Sequence, residues 1–173
     1  MTKLVRLACL ITIVALMGAA RADAPVTAES KTRHYRLSLQ IGPTETMYSE
    51  AEAKTKHPTS GEIMLSGKMA AGMPGMSHAM PGMTPMSGMR HVELHVYALD
   101  SGKTITDARV TITLIGADKR RHTVSIARMY GVTEGLDDLH YGNNLLLDTG
   151  LYTIETTVNG EAARFSVTIP PDS

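Results

Sequence analysis

From His91 onward the chain is written as short β-segments divided by turns, and this pattern leaves few folds open to it. His91 to Leu99, Val110 to Ile115, His122 to Arg128, Asn144 to Leu147, Tyr152 to Val158 and Ala163 to Ile169 alternate apolar with polar residues or are rich in β-branched ones. Asp100-Ser101-Gly102, Gly116-Ala117-Asp118, Asp148-Thr149-Gly150 and Asn159-Gly160 separate them. Val158-Asn159-Gly160-Glu161 is a two-residue hairpin signal, because Asn and Gly both tolerate positive φ. No alternation of helices with strands and no glycine-rich phosphate loop is present, which argues against a nucleotide enzyme.

Upstream, Tyr35 to Ile41 also alternates, with Tyr35, Leu37, Leu39 and Ile41 on one side. A short polar arm precedes it, residues 43–60 are polar with one helical turn expected around Ser49 to Lys54, and Glu62 to Ser66 is expected to be an edge strand. Seven or eight such strands predict an all-β fold, an antiparallel β-sandwich. The run Asp148-x-Gly150-x-Tyr152, a tyrosine opening a late strand after a tight turn, is similar to the tyrosine corner of immunoglobulin-like sandwiches.

The segment between Glu62–Ser66 and His91 is of another kind. Seven of the 21 residues from Met69 to Met89 are methionine: Met69, Met73, Met76, Met80, Met83, Met86 and Met89. Their spacing resembles a helical stripe, but Gly72, Gly75, Gly82 and Gly88 with Pro74, Pro81 and Pro85 oppose a helix by about 13 kcal/mol. A long disordered Met-rich loop over residues 67–90 is therefore expected. Low-complexity linkers are usually polar, whereas this one carries no charge between Lys68 and Arg90. Thioethers are uncharged, do not titrate and prefer soft cations, so Cu(I) is the ion this composition suits. His78 adds one imidazole, and Met-Pro-Gly-Met recurs at 73–76 and 80–83.

The first residues point to export. Lys3 and Arg6, the apolar stretch Leu7 to Met17 and the small residues of Ala20-Arg21-Ala22 have the form of a secretory signal peptide over residues 1–22, cleaved before Asp23. A periplasmic location and a single sandwich domain over 23–173 are expected. Cys9, the only cysteine, would leave with the signal. Losing Lys3, Arg6 and Arg21 from 17 basic residues leaves 14 against 17 acidic, a balance of −3. That balance, one Phe and no Trp argue against a nucleic-acid partner.

A strand's period of two places His91, Glu93, His95 and Tyr97 on one face, with Val92, Leu94 and Val96 toward the core. Two imidazoles and a carboxylate in a row can ligate a transition metal, although a solvated polar face has the same pattern. His140 stands in the turn-rich segment Asp137-Asp138-Leu139-His140-Tyr141-Gly142-Asn143-Asn144, where it could equally cap a turn. His34 and His57 have polar surroundings, and His122 shares parity with Val124 and Ile126, which suits a structural role. No Ser/His/Asp or Cys/His set can be assembled, and Asp137 and Asp138 are adjacent rather than paired across a site, so enzymatic chemistry is not expected.

His140-Tyr141-Gly142-Asn143-Asn144 followed by Asp148-Thr149-Gly150-Leu151-Tyr152, together with His91-Val92-Glu93, resembles the periplasmic high-affinity iron-transport protein family. The resemblance implies an immunoglobulin-like fold, copper binding, a possible homodimer and a membrane iron permease as partner. It also implies a methionine ligand upstream of the histidine of His-Tyr-Gly, for which Met129 stands 11 residues before His140. The methionine loop is more similar to the motifs of periplasmic copper-resistance carriers. The expected function is thus periplasmic copper capture, storage or delivery, with His91, Glu93, His95, Met129 and His140 as an ordered site and the loop as a Cu(I) binder. The expected partners are the metal ion and an inner-membrane metal transporter or another periplasmic copper protein. Iron import, with iron at the same site, and a metal-free interaction module are the alternatives.

Overall fold

A computed structural model describes residues 24–67 and 88–171. Eleven strands run in order: β1 (Val26–Lys31), β2 (Tyr35–Pro43), β3 (Met47–Ser49), β4 (Glu62–Ser66), β5 (Met89–Ala98), β6 (Val110–Gly116), β7 (Arg121–Thr123), β8 (Ala127–Gly131), β9 (His140–Leu146), β10 (Gly150–Val158) and β11 (Glu161–Ile169). They form an all-β sandwich. One sheet has the order β1-β2-β5-β9-β8-β4-β3 and the other β11-β10-β6-β7. All pairs are antiparallel except β3 with β4.

The alternation in the sequence dictates which face is the core. Leu37, Leu39 and Ile41 of β2 pair with Val96, Leu94 and Val92 of β5, and these face Ile112 and Leu114 of β6 and Ile154 and Phe165 of β10 and β11. Fully burying each such side chain stabilises the fold by roughly 1.5–3 kcal/mol, so the register is strongly specified. A one-residue slip of β5 would put His91, Glu93 and His95 into this core. Asn159 and Gly160 have φ of 51° and 89°, and Val158 pairs with Glu161, which is the expected two-residue hairpin. Tyr152 opens β10 after the Asp148-Thr149-Gly150 turn and is buried in the core.

Several expectations need correction. The polar arm before Tyr35 is strand β1, held along β2 by backbone pairing that polar side chains do not prevent. Glu62–Ser66 is not an edge strand, because it lies between β8 and β3. The single strand expected from His122 to Arg128 is two: β7 belongs to the small sheet and β8 to the large one, the chain crossing between sheets at Val124 to Ile126. The strand expected from Asn144 starts at His140, so His140 is a strand residue and does not cap a turn. One helical turn around Ser49 becomes helix α1 (Glu50–Lys56), started by a capping box in which Ser49 and Glu52 satisfy each other's backbone amides. Met89 begins β5 and is buried, so it is strand rather than loop. Met69, Met73, Met76, His78, Met80, Met83 and Met86 lie outside the described residues, as does the expected signal peptide. Among the described residues no helix is long and apolar enough to cross a membrane.

Gly142 sets how closely β5 and β9 approach. A Cβ there would stand 1.7 Å from the Val92 carbonyl oxygen, which is backbone and cannot swing aside. Gly142→Ala is therefore expected to destabilise the protein by roughly 1–3 kcal/mol or more, read as a fall in Tm. Because Gly142 is opposite Glu93 and two residues from His140, the same substitution should also displace those side chains from each other.

Candidate metal centre

The outer face of the large sheet carries the candidate ligands. With Val92, Leu94 and Val96 turned inward, His91, Glu93 and His95 of β5 project from the other side. On β9 the same face presents His140, Gly142 and Asn144, since Glu93 pairs with Gly142 and His91 with Asn144. On β8 it presents Met129, directly opposite His140, and on β4 it presents Met64 and Glu62. Four strands from three separated stretches of sequence thus contribute to one surface.

That surface is covered. His91 and His140 are fully buried, His95 is 3% exposed and Glu62 7%. Asn144 ties the Glu45 segment over one side, its Nδ2 donating to the Glu45 carbonyl at 2.8 Å and its Oδ1 accepting from the Glu45 amide at 3.3 Å. On the other side a 3-10 turn (Gly135–Asp138) brings Asp138 to 3.9 Å from His95 and 3.8 Å from His140. A solvated polar face does not describe this arrangement.

The hydrogen bonds fix how the imidazoles point. Asn144 Oδ1 can only accept, so His91 Nδ1–H donates to it at 2.9 Å, and Nε2 is left as a bare lone pair. His140 Nδ1–H likewise donates to the Asp138 carbonyl at 2.8 Å, leaving its Nε2 bare. Neither Nε2 has a hydrogen-bond partner, and neither does Glu62 Oε2, although all three atoms are buried. Buried polar atoms without partners are uncommon and costly. Here they converge: His140 Nε2 is 3.6 Å from Glu62 Oε2, and the rings of His91 and His140 are 5.7 Å apart.

Two triads of ligand atoms lie on the face, and they share His140. One is Glu62, His91 and His140, all buried; the other is Glu93, His95 and His140, more open to solvent. In each the three atoms lie within 4.8 Å of one another. Glu93 spans the set, 3.9 Å from His91 Nε2 and 3.4 Å from His95 Nε2, and Gln40 Nε2 lies 3.2 Å from His95 Nε2. The residues present fit a metal: the bare Nε2 atoms of His91 and His140 are aimed inward, and each ring is held from behind by a fixed acceptor on Nδ1.

Burial pushes the His140 pKa down to about 4 and that of His91 downward, so both imidazoles are neutral at pH 7. Burial likewise pushes the Glu62 pKa up to about 8, helped by the charges of Glu93 and Asp138. Glu93 goes the other way. Burial works against its ionisation, but the His95 hydrogen bond and the neighbouring imidazoles outweigh it and hold the carboxyl below its usual range.

Of the residues expected from sequence, the structure brings His91, Glu93, His95 and His140 together, with Met129 beside His140. Met89 shares the face two positions from His91. His34 is exposed and paired with Glu161, His57 closes α1, and His122 is half-buried against Tyr152. Sequence reasoning missed Glu62, Asn144, Asp138, Met47 and Met64. The alternation in Glu62-Ile63-Met64-Leu65 does signal an acid and a methionine on one face, but not which strand that face adjoins. No protein-family model matches the chain, and no curated protein matches it either.

Asn144 provides a direct check on how the histidines are held. Asn144→Ala removes the acceptor behind His91 and is expected to weaken metal affinity roughly 10–100-fold, the usual effect of losing a group that orients a ligand. Competition titration against a chelator of known affinity would measure it.

Proposed function

We propose that the protein is a copper-binding protein of the periplasm that captures copper and holds it or passes it on, without transforming a substrate. The observation that carries this reading is the pair of bare, buried Nε2 atoms of His91 and His140 converging on Glu62, each with its Nδ1 held by a fixed acceptor. Imidazole and carboxylate donors suit Cu(II), and Cu(II) is the tightest binder among divalent first-row metals at such sites. The methionines beside His140 and in the 69–89 segment suit Cu(I). Glu93 is the most open donor of the two triads, which suits it to meeting the ion first, and His140 is common to both.

A second reading, accessory metal binding in iron import, draws on the carboxylates of Glu45, Glu62, Glu93 and Asp138 around the site, since oxygen donors favour a harder ion. The mature chain purified from the exported fraction of cells given copper and iron together separates the two. Copper retained at about one equivalent or more, without iron, is the expected result. Iron retained in its place would replace the copper reading, and metal-free protein would return the chain to the role of an interaction module.

A further inference from the structure

All four methionines among the described residues stand on the outer face of the large sheet, and none lies in the main core. That core has 18 buried residues, aliphatic and aromatic, without a methionine. A separate cluster beside the metal centre is made of Met47, Met129 and Ala127, with half-buried Met64 packed against it. If methionine served here only as filler, it would be expected in both places.

The pairing register sets Met64 against Met129, and packing adds Met47 to them. Met64 is opposite Met129 across β4 and β8, and Met129 is opposite His140 across β8 and β9. Met47 is opposite Glu62 across the parallel pair β3 and β4. Facing residues in a sheet hold their Cβ atoms about 4.5–5.5 Å apart, within reach of long flexible side chains. Ala127 is the only other residue of the cluster. The Met47 sulfur is also held in place: Asn144 Nδ2–H donates to it at 3.5 Å, while the same amide's Oδ1 fixes His91. One side chain therefore orients a thioether and an imidazole at once.

We infer that Met47, Met64 and Met129 form a thioether site for a monovalent soft cation, Cu(I), alongside the histidine centre and separate from it. Three neutral sulfur donors, those of Met47 and Met129 on buried side chains, match a soft ion of single charge and offer little to Cu(II) or Fe(II). This goes beyond the proposed function and does not require the nitrogen centre to hold copper.

The test uses the full mature chain with Met69, Met73, Met76, Met80, Met83 and Met86 changed to leucine, so that binding by that segment does not mask the cluster. With the remaining methionines labelled at the ε-methyl carbon, Ag(I) serves as a redox-inert probe for Cu(I). The expected result is that the methyl signals of Met47, Met64 and Met129 shift together and saturate at about one equivalent. Met47→Leu, Met64→Leu and Met129→Leu keep apolar bulk and should each weaken Ag(I) binding roughly tenfold or more, with thermal unfolding as the check on folding. His91→Ala should keep the site. Methyl signals that do not move, leucine variants that bind as tightly as the parent, or loss of Ag(I) in His91→Ala would each overturn the inference, the last by placing silver on imidazole. Cu(II) affinity measured on the Met64→Leu protein keeps the two centres apart: it should be unchanged, and its loss would merge them into one site.

Discussion

Replacing His140 with alanine is expected to abolish tight Cu(II) binding while the sandwich stays folded. His140 is the one residue common to both ligand triads, so neither can compensate for its loss. Losing a group that only orients a ligand costs roughly 10–100-fold, and losing a ligand shared by both arrangements should exceed about 100-fold. The effect on folding should be smaller. The side chain lies on the outer face, outside the aliphatic core, and its removal also removes a buried nitrogen that has no hydrogen-bond partner. His91→Ala should leave the more open triad of Glu93, His95 and His140 and so retain weak binding. His34→Ala, at an exposed position, should change nothing. Calorimetric titration of the three variants gives the ranking, and equal affinity in all of them would remove the site.

Cu(II) binding at pH 7 is expected to release about one proton, and that proton comes from Glu62. Burial keeps Glu62 protonated up to about pH 8, whereas copper needs the carboxylate. His140 contributes none, since its pKa of about 4 leaves it neutral already. Titrations in buffers of different ionisation enthalpy measure the release, and Glu62→Gln should eliminate it. The same groups shape the stability of the metal-free protein. A depressed His140 pKa means that the unfolded chain binds the proton more readily, so stability falls as pH drops from about 6.5 to about 4. Glu62 has the opposite sign. Its raised pKa means that the folded chain binds the proton more readily, so stability falls as pH rises from 4.5 to about 8. The two oppose each other in the acid range, and between pH 6.5 and 8 Glu62 acts alone. A loss of roughly 2 kcal/mol is expected across that window and should vanish in Glu62→Gln.

The strands were legible because their alternation is a direct consequence of having one face buried. Val92, Leu94 and Val96 announce the core, and they put His91, Glu93 and His95 opposite without further information. Asn159-Gly160 was legible because its turn needs positive φ at both positions. β1 was missed because Val26–Lys31 is half polar and its pairing rests on backbone groups, which leave no trace in side-chain pattern. The division of 121–131 between two sheets was missed for a related reason: both pieces are β-rich, and only the three-dimensional packing decides where the chain crosses. Met129 could be named as a candidate but not placed, since its partner strand starts at His140, inside what reads as a turn. Glu62 was the larger omission. Nothing in Glu62-Ile63-Met64-Leu65 reveals that β8 separates it from β9, or that this spacing brings a lone acid to within 3.6 Å of a histidine 78 positions away. Burial of the outer face was equally hidden, because the Glu45 segment and the Gly135–Asp138 turn that cover it look like ordinary polar loops.

The central claim is that His91 and His140 ligate copper through Nε2 with Nδ1 turned away toward Asn144 and Asp138. Pulsed electron paramagnetic resonance of the Cu(II)-loaded protein tests it most directly, because the remote nitrogen of an imidazole bound to copper gives a characteristic modulation. The expected result is imidazole modulation from more than one ring, reduced in His91→Ala, absent in the double variant His91→Ala with His140→Ala, and altered in Asn144→Ala through its contact with the remote nitrogen of His91. Imidazole modulation that is missing from the parent protein, or that persists unchanged in the double variant, would contradict it.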